Sequence, residues 1–391
     1  MGKYTVRIDR DRVAEARKRL TDFYSGRPVD YMPFRYSCGT PDCPSYTIGD
    51  IARDPDKAIE LAIAKINAQT NSYPDTDFSP SLQFEYLGEG MVASMFGAKQ
   101  YIVENDPPFT EGRFMNDIYD LHKLPREINP AEDGWGPILK ETIEKFLDAT
   151  NGEIPVGVCD HQSTYGTATK IINNEALMYA MYDEPEMVHE FFDIVTRGIE
   201  ATIDAMSSWA GGAERLVHNI TASVPGTECG LIIWDNYISV INPELHMEFC
   251  KPYNDRLYER YGRGHLHTCG PYFPGYIDAT LACKPRSLDF AIMRGMSRSK
   301  EDIRKFRQIT RDAGIILSGS PNSTSAGIFE GKWDTIEEDY LLDMATGGMI
   351  YSESGPPENG KAATERFRKI SDEAFRRMGK KQVGCNDRYL D

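Results

Sequence analysis

From about residue 154 onward, short apolar, β-rich runs alternate with stretches of helical periodicity, and this alternation constrains the fold more than any other feature. The strand-like runs lie at 154–159, 215–219, 264–269, 287–293, 314–318 and 348–352, with helical segments between most of them. Strand–helix alternation sustained over this length implies a parallel sheet, because each return to a parallel neighbour needs a crossover. With a run at 31–36 and short runs within 71–115, roughly eight strands are available, enough to close a barrel. The expected fold class is therefore α/β, a single (β/α)8 TIM-type barrel across residues 1–391, with an N-terminal helical extension.

That extension is read from Val13, Ala16, Leu20, Phe23 and Tyr24, which fall on one face of a helix over 9–25. Asp54-Pro55 supplies a cap and a first-turn proline for a helix carrying Ile59, Ala62, Ile63 and Ile66. Residues 71–115 read as short strands and long loops. Asp183-Glu-Pro-Glu186 restarts a helix, and Asn242-Pro243-Glu244 begins another that ends at Tyr261-Gly262, with Pro252 predicted to kink it. The last helix runs from after residue 359 to about Met378, followed by a polar tail.

Charge and cysteine use narrow the function. The chain has 44 Lys+Arg against 60 Asp+Glu, a net charge of −16. Nucleic acid and anionic membrane surfaces both select for basic stripes, so neither is an expected partner. No apolar run approaches the ~20 residues that span a bilayer, and the start carries no apolar signal segment. Eight cysteines in 391 residues are too sparse for a disulfide scaffold. A cytoplasmic location with reduced thiols is expected. There is no Gly-x-Gly-x-x-Gly after the first strand and no Walker lysine loop, which lowers a nucleotide-binding fold.

In a barrel, chemistry sits at the C-terminal ends of the strands. The polar residues there are Cys38, Asp160, His161, His218, Asn219, His265, His267, Cys269 and Glu353. The densest group is His265-Leu-His267-Thr-Cys269: alternation along a strand puts both imidazoles and the thiol on one face. Nitrogen and sulfur donors of this kind suit zinc, while the competing reading is a strand of hydrogen-bonded histidines with a buried cysteine. Asp160-His161 is either an acid/base pair or a hydrogen-bonded strand end. Trp234 and Asp235 either line a pocket or belong to the core.

These residues resemble the uroporphyrinogen decarboxylase superfamily, and within it the corrinoid-dependent methyltransferase branch. The stretches that carry the likeness are 234–244, 249–253, His267-Thr-Cys-Gly270, Phe96-Gly97-Ala98, Asp183-Glu-Pro-Glu186 and 347–359. The resemblance implies a zinc held by His267 and Cys269. Thiol-methylating members add a Cys after the last barrel strand; here that segment is Tyr351-Ser-Glu-Ser-Gly355, so Glu353 is the nearest residue able to ligate. Some ether-demethylating relatives use Glu, Glu and His instead, with 14 and 20 intervening residues. Glu228 and Glu244 have 15 residues between them, and Glu244 and His265 have 20, so this set is an alternative that takes His265 in place of His267. The decarboxylase's own Arg-Gln-Ala-Gly-Arg signature is absent, and no histidine follows His267.

The resemblance thus implies a zinc-dependent methyltransferase acting between a small methylated substrate, such as a methyl ether, and a corrinoid (cobalamin) carried on a partner protein. Asp160, His161, Asn219 and Asp235 are the candidate catalytic residues, and His267, Cys269, Glu353, His265 and Glu228 the candidate metal ligands. A homodimer is compatible with this reading. Two rival readings are a metal-independent decarboxylase of a smaller acid and a non-catalytic barrel that only binds a small molecule.

Overall fold

The computed structural model describes residues 5–40, 42–72, 76–110, 113–219, 224–268, 276–289, 300–319 and 338–383. Helix Arg10–Tyr24 buries Val13, Ala16, Leu20, Phe23 and Tyr24, the face its periodicity predicts. Asp9 caps it by accepting a hydrogen bond from the Arg12 amide. Its last residue reaches into the sheet, where Tyr24 Oη lies 3.0 Å from Ser287 Oγ. The helix therefore packs under the strands and closes their N-terminal rim.

The strands are β1 (Phe34–Ser37), β2 (Gln100–Tyr101), β3 (Phe109–Thr110), β4 (Val156–Gly157), β5 (Leu216–Asn219), β6 (Val224–Pro225), β7 (Leu231–Trp234), β8 (Arg263–His267), β9 (Ser287–Asp289), β10 (Ile316–Gly319) and β11 (Met349–Ser354). Six form one sheet in the order β1-β11-β10-β9-β8-β7, every pairing parallel. First and last strands are thus neighbours, as a closed barrel requires. Backbone contacts complete the ring. Ser163 N donates to Trp234 O at 2.8 Å, Leu82 bridges Val156 in parallel, and Asp77 N donates to Phe34 O at 2.7 Å. Going round, the wall is β1, the extended segment 77–84, β4, and β7 to β11. β5 is not one of these wall strands, although the sequence reading counted it. It pairs with β4 and turns back antiparallel into β6. The fold is the expected TIM-type barrel.

Strand alternation separates lumen from helical layer. Phe34 stacks on Tyr351 and Phe367, with ring centroids 5.6 and 5.2 Å away, and Phe367 belongs to helix Gly360–Met378 outside the barrel. Phe34 and Tyr351 therefore face outward. Their neighbours Arg35 and Ser352, paired in register, take the other face.

Arg307 of helix Lys300–Asp312 closes the outer layer behind β10. It is fully buried and donates to the carbonyls of Met344, Ile315 and Gly348 and to Thr310 Oγ1, at 2.9–3.2 Å. Burial pulls its pKa down to about 9. The guanidinium fork fits because it offers several N–H groups in one plane.

Two details depart from the sequence reading. The stretch 71–115 contains a buried helix, Met91–Met95, and a β2–β3 hairpin. The helix predicted to kink at Pro252 begins as expected, with the Asn242 side chain accepting from Leu245 N, but it bends by a π turn over His246–Cys250 before resuming as Lys251–Tyr261. Proline lacks an N–H and crowds the carbonyl four residues back, here Glu248, and the wider turn ahead of it relieves that clash. Among the described residues no helix is long and apolar enough to cross a membrane.

Arg307→Met would strip the buried carbonyls of Met344 and Ile315 of the donors Arg307 supplies, while Gly348 O keeps the Leu317 amide at 3.1 Å. Each such loss costs about 1–3 kcal/mol, offset in part by removing a buried charge. We expect a net destabilisation of about 3 kcal/mol, read as a lowered urea midpoint. A midpoint equal to that of the wild type would show that the carbonyls find other donors.

Candidate metal centre

The mouth of the barrel is organised by two adjacent strands. β7 pairs with β8 as Leu231↔Arg263 and then Ile233↔Leu266, so β8 carries one extra residue at 264–265. Such a bulge re-aims the side chains that follow. Gly264 makes it possible, since a Cβ there would lie 2.3 Å from Leu231 O. On the other side His265 pairs with Ser287. Two residues further on, His267 stands beside Asp289.

Hydrogen bonds join these residues into one group. His265 Nδ1 lies 2.8 Å from Ser287 Oγ and its Nε2 3.0 Å from Asp289 Oδ1. His267 Nδ1 lies 2.6 Å from Asp289 Oδ2, which also accepts from Thr268 N at 3.3 Å. Burial alone would raise the Asp289 pKa, but the imidazoles of His267 and His265 overcome it and hold the carboxyl well below the usual range. His265 is shut off from solvent, whereas a quarter of the His267 side chain is exposed. Metal-ligating atoms of His265, His267 and Asp289 all lie within 4.8 Å of one another. Imidazole is a donor that zinc accepts, and a carboxylate is a usual partner for the second nitrogen of a ligating ring, so the group fits an ion held at His267.

Asp160 belongs to the same site. It follows β4, and the His267 charge acts on it. Burial raises its pKa to about 6, and Glu89 adds to the rise, against the opposing hydrogen bonds from Gln162. Those bonds run from Gln162 N and Nε2 to Asp160 Oδ1, at 3.3 and 2.6 Å. Gln162 reaches back because its backbone is left-handed, with φ +57°, and Asn236 Nδ2 holds its amide oxygen at 3.2 Å. His161 is fully buried, its ring edge-on to Trp234 at 5.1 Å, and burial lowers its pKa to about 4. Between the two, Asp160 is the group that can exchange a proton near neutral pH.

The remaining expectations resolve by position. Asp235 faces the helical layer, accepting from His246 Nε2 at 2.9 Å, Asn254 Nδ2 at 2.7 Å and Ser163 Oγ at 3.3 Å. It anchors the π turn rather than the lumen. Glu353 shares the outward face of Tyr351 and pairs with Arg366 at 2.6 Å, so alternation turns it away from the histidines. Glu228 is exposed on the short helix ahead of β7, at the opposite rim from His267, and Glu244 is exposed too. Parallel strands cannot bring the start of β7 to the end of β8. Cys269 and the side chain of Asn219 lie outside the described residues. Asp289 is the residue sequence reasoning missed. Its signal was an acid inside an apolar run, where aspartate is rare unless paired. Apart from this group, a cavity of about 570 Å³ opens between β1, the segment 78–86 and helix Pro55–Ser72, lined by Arg35, Lys65, Gln83 and Glu85 among apolar side chains.

Comparison with known proteins agrees with this barrel. A family model described as uroporphyrinogen decarboxylase (URO-D) matches residues 16–289. The chain belongs to the uroporphyrinogen decarboxylase family. The matched stretch ends at Asp289, so it spans the whole His265–Asp289 group. A solved structure, a methyltransferase from Methanosarcina mazei, shares the fold, with a TM-score of 0.62 and 17% identity over 91% of this chain and 98% of that one. No curated protein matches.

The raised Asp160 has a pH signature. Its folded pKa is about 6 against about 4 for an unfolded chain, so the folded state binds the proton more tightly and loses stability as pH rises through that window. Asp160→Asn removes the effect. We expect the variant to gain about 1–2 kcal/mol on the wild type between about pH 4 and about pH 8, discounted for partial exposure, in urea unfolding at both values. A difference that does not change with pH would refute the burial account.

Proposed function

We propose that this member of the uroporphyrinogen decarboxylase family is a methyltransferase. It moves a methyl group between a small methylated compound, such as a methyl ether, and a corrinoid carried by a partner protein, with zinc held at the barrel mouth. The observation that carries the reading is the convergence of His267, Asp289 and Asp160 where His267 is partly open to solvent. The missing arginine signature of the decarboxylase and the methyltransferase fold neighbour support it.

His267 would hold the ion, with Cys269 as the further donor that the sequence offers. Zinc supplies a Lewis acid to the heteroatom that carries the methyl group. The protein's part is to orient and to manage a proton. Asp160 Oδ1 is tied to Gln162, so its proton sits on Oδ2, where a pKa of about 6 lets it pass to a departing oxygen. Trp234, paired in register with His267, walls the site on the β7 side. A Co(I) corrinoid on the partner would supply the electron pair for the new bond to carbon, and the oxygen, keeping the pair of the broken bond, would take the proton that Asp160 holds.

Chain purified without chelator is expected to carry about one zinc, lost in His267→Ala and retained in Glu228→Gln and Glu353→Gln. With methyl ethers and cob(I)alamin it should form methylcobalamin, visible by absorbance, and Asp160→Asn should slow the reaction by roughly 10²-fold or more. Carbon dioxide release from a carboxylate substrate without metal, with no methylation of cobalt across a panel of donors, would establish the decarboxylase reading instead.

A further inference from the structure

A carboxylate bonded to two imidazoles at once settles which nitrogen each ring can offer. An ionised carboxylate only accepts hydrogen bonds, so each ring presents an N–H at its contact with Asp289. At His267 that nitrogen is Nδ1, 2.6 Å from Asp289 Oδ2. The ring is thereby fixed as the Nδ1–H tautomer, and its coordinating nitrogen is Nε2. At His265 both nitrogens are engaged, Nε2 with Asp289 Oδ1 at 3.0 Å and Nδ1 with Ser287 Oγ at 2.8 Å, and the side chain has no exposure. Such a ring braces the carboxylate and is not placed to coordinate.

Joint ligation through His267 Nδ1 and Asp289 Oδ2 fits the distance poorly. A tetrahedral ion with bonds of ~2.0–2.1 Å sets its donor atoms ~3.3 Å apart, whereas 2.6 Å is the length of a charge-assisted hydrogen bond. We infer that Asp289 is a positioning residue: braced by His265 and Ser287, it fixes the tautomer and ring plane of His267 and so sets the affinity of the barrel mouth for its metal. This rests on the methyltransferase reading for the identity of the ion, but not for the tautomer. It removes His265 from the ligand set and gives the conformation of β9 a direct hold on the ligand carried by β8.

Two measurements test it. Nitrogen-15 histidine spectra of the metal-free chain, assigned with His267→Gln, should report His267 as the Nδ1–H tautomer, and Asp289→Ala should abolish that preference. Zinc affinity, from competition with a chromogenic chelator, should fall about tenfold in Asp289→Asn, which keeps one acceptor, and about 100-fold in Asp289→Ala. Cobalt(II) absorption would report the same order of occupancy. An Nε2–H tautomer at His267 in the wild type overturns the inference, as does wild-type zinc affinity in Asp289→Ala. A carboxylate oxygen found at bonding distance from the metal by X-ray absorption, and lost in Asp289→Asn, also overturns it. If the wild type binds no zinc, the methyltransferase reading fails while the tautomer still decides the role of Asp289.

Discussion

The Asp289 carboxylate is the contact on which the barrel mouth depends. It is nearly buried, and a buried charge is tolerated only when paired and hydrogen-bonded. Here both oxygens are used, one by each imidazole. The bonds continue downward, from His265 to Ser287 and from Ser287 to Tyr24 at the end of the first helix. A connected path thus runs from the plug beneath the barrel to the half-open His267 at its top. Replacing His265 would take from Asp289 Oδ1 the imidazole that pairs it, and losses of that kind make such networks specific as well as costly to break.

Two carboxyl groups meet at this mouth and are driven in opposite directions. Asp289 is held ionised by two imidazoles, whereas Asp160 is lifted to about 6 by burial, against the Gln162 hydrogen bonds and the His267 charge. Pairs of acids whose environments separate their pKa values divide the labour of a site. One stays a fixed anion that orients a ring, and the other can gain and release a proton. His161, lowered to about 4 by burial and packed edge-on against Trp234, stays neutral beside them.

Much of this was legible in the sequence where one period governs a segment. The first helix shows the buried face its spacing predicts, the last helix occupies Gly360–Met378, and β8 to β11 lie within or beside the apolar runs. His265 and His267 share a face, as alternation requires. What the sequence could not supply was anything set by partners across strands. The partners of Asp289 became visible only through the register of β9 against β8, and the displacement of β5 from the wall only through its pairing. The outward turn of Asp235 toward His246 depends on a π turn that no periodicity announces. Glu353 shows the same lesson in reverse, because proximity in sequence to the expected ligand position says nothing about parity along the strand.

Parity also explains why this chain cannot draw a ligand from the last strand in the way the thiol-methylating relatives are expected to. Phe34, Tyr351 and Phe367 form a stack that fixes the phase of β11, and this sends Glu353 outward to Arg366. The residues left on the inward phase are Ser352 and Ser354, whose hydroxyls are weak donors to zinc, and Ser354 is already 2.7 Å from Ser37 Oγ. Restoring a ligand there would need the side chain at position 352 or 354 to change, since moving Glu353 inward would break the aromatic stack and reverse every neighbour on the strand. Among the described residues, the grouped metal donors of the mouth therefore lie on β8 and its neighbour β9.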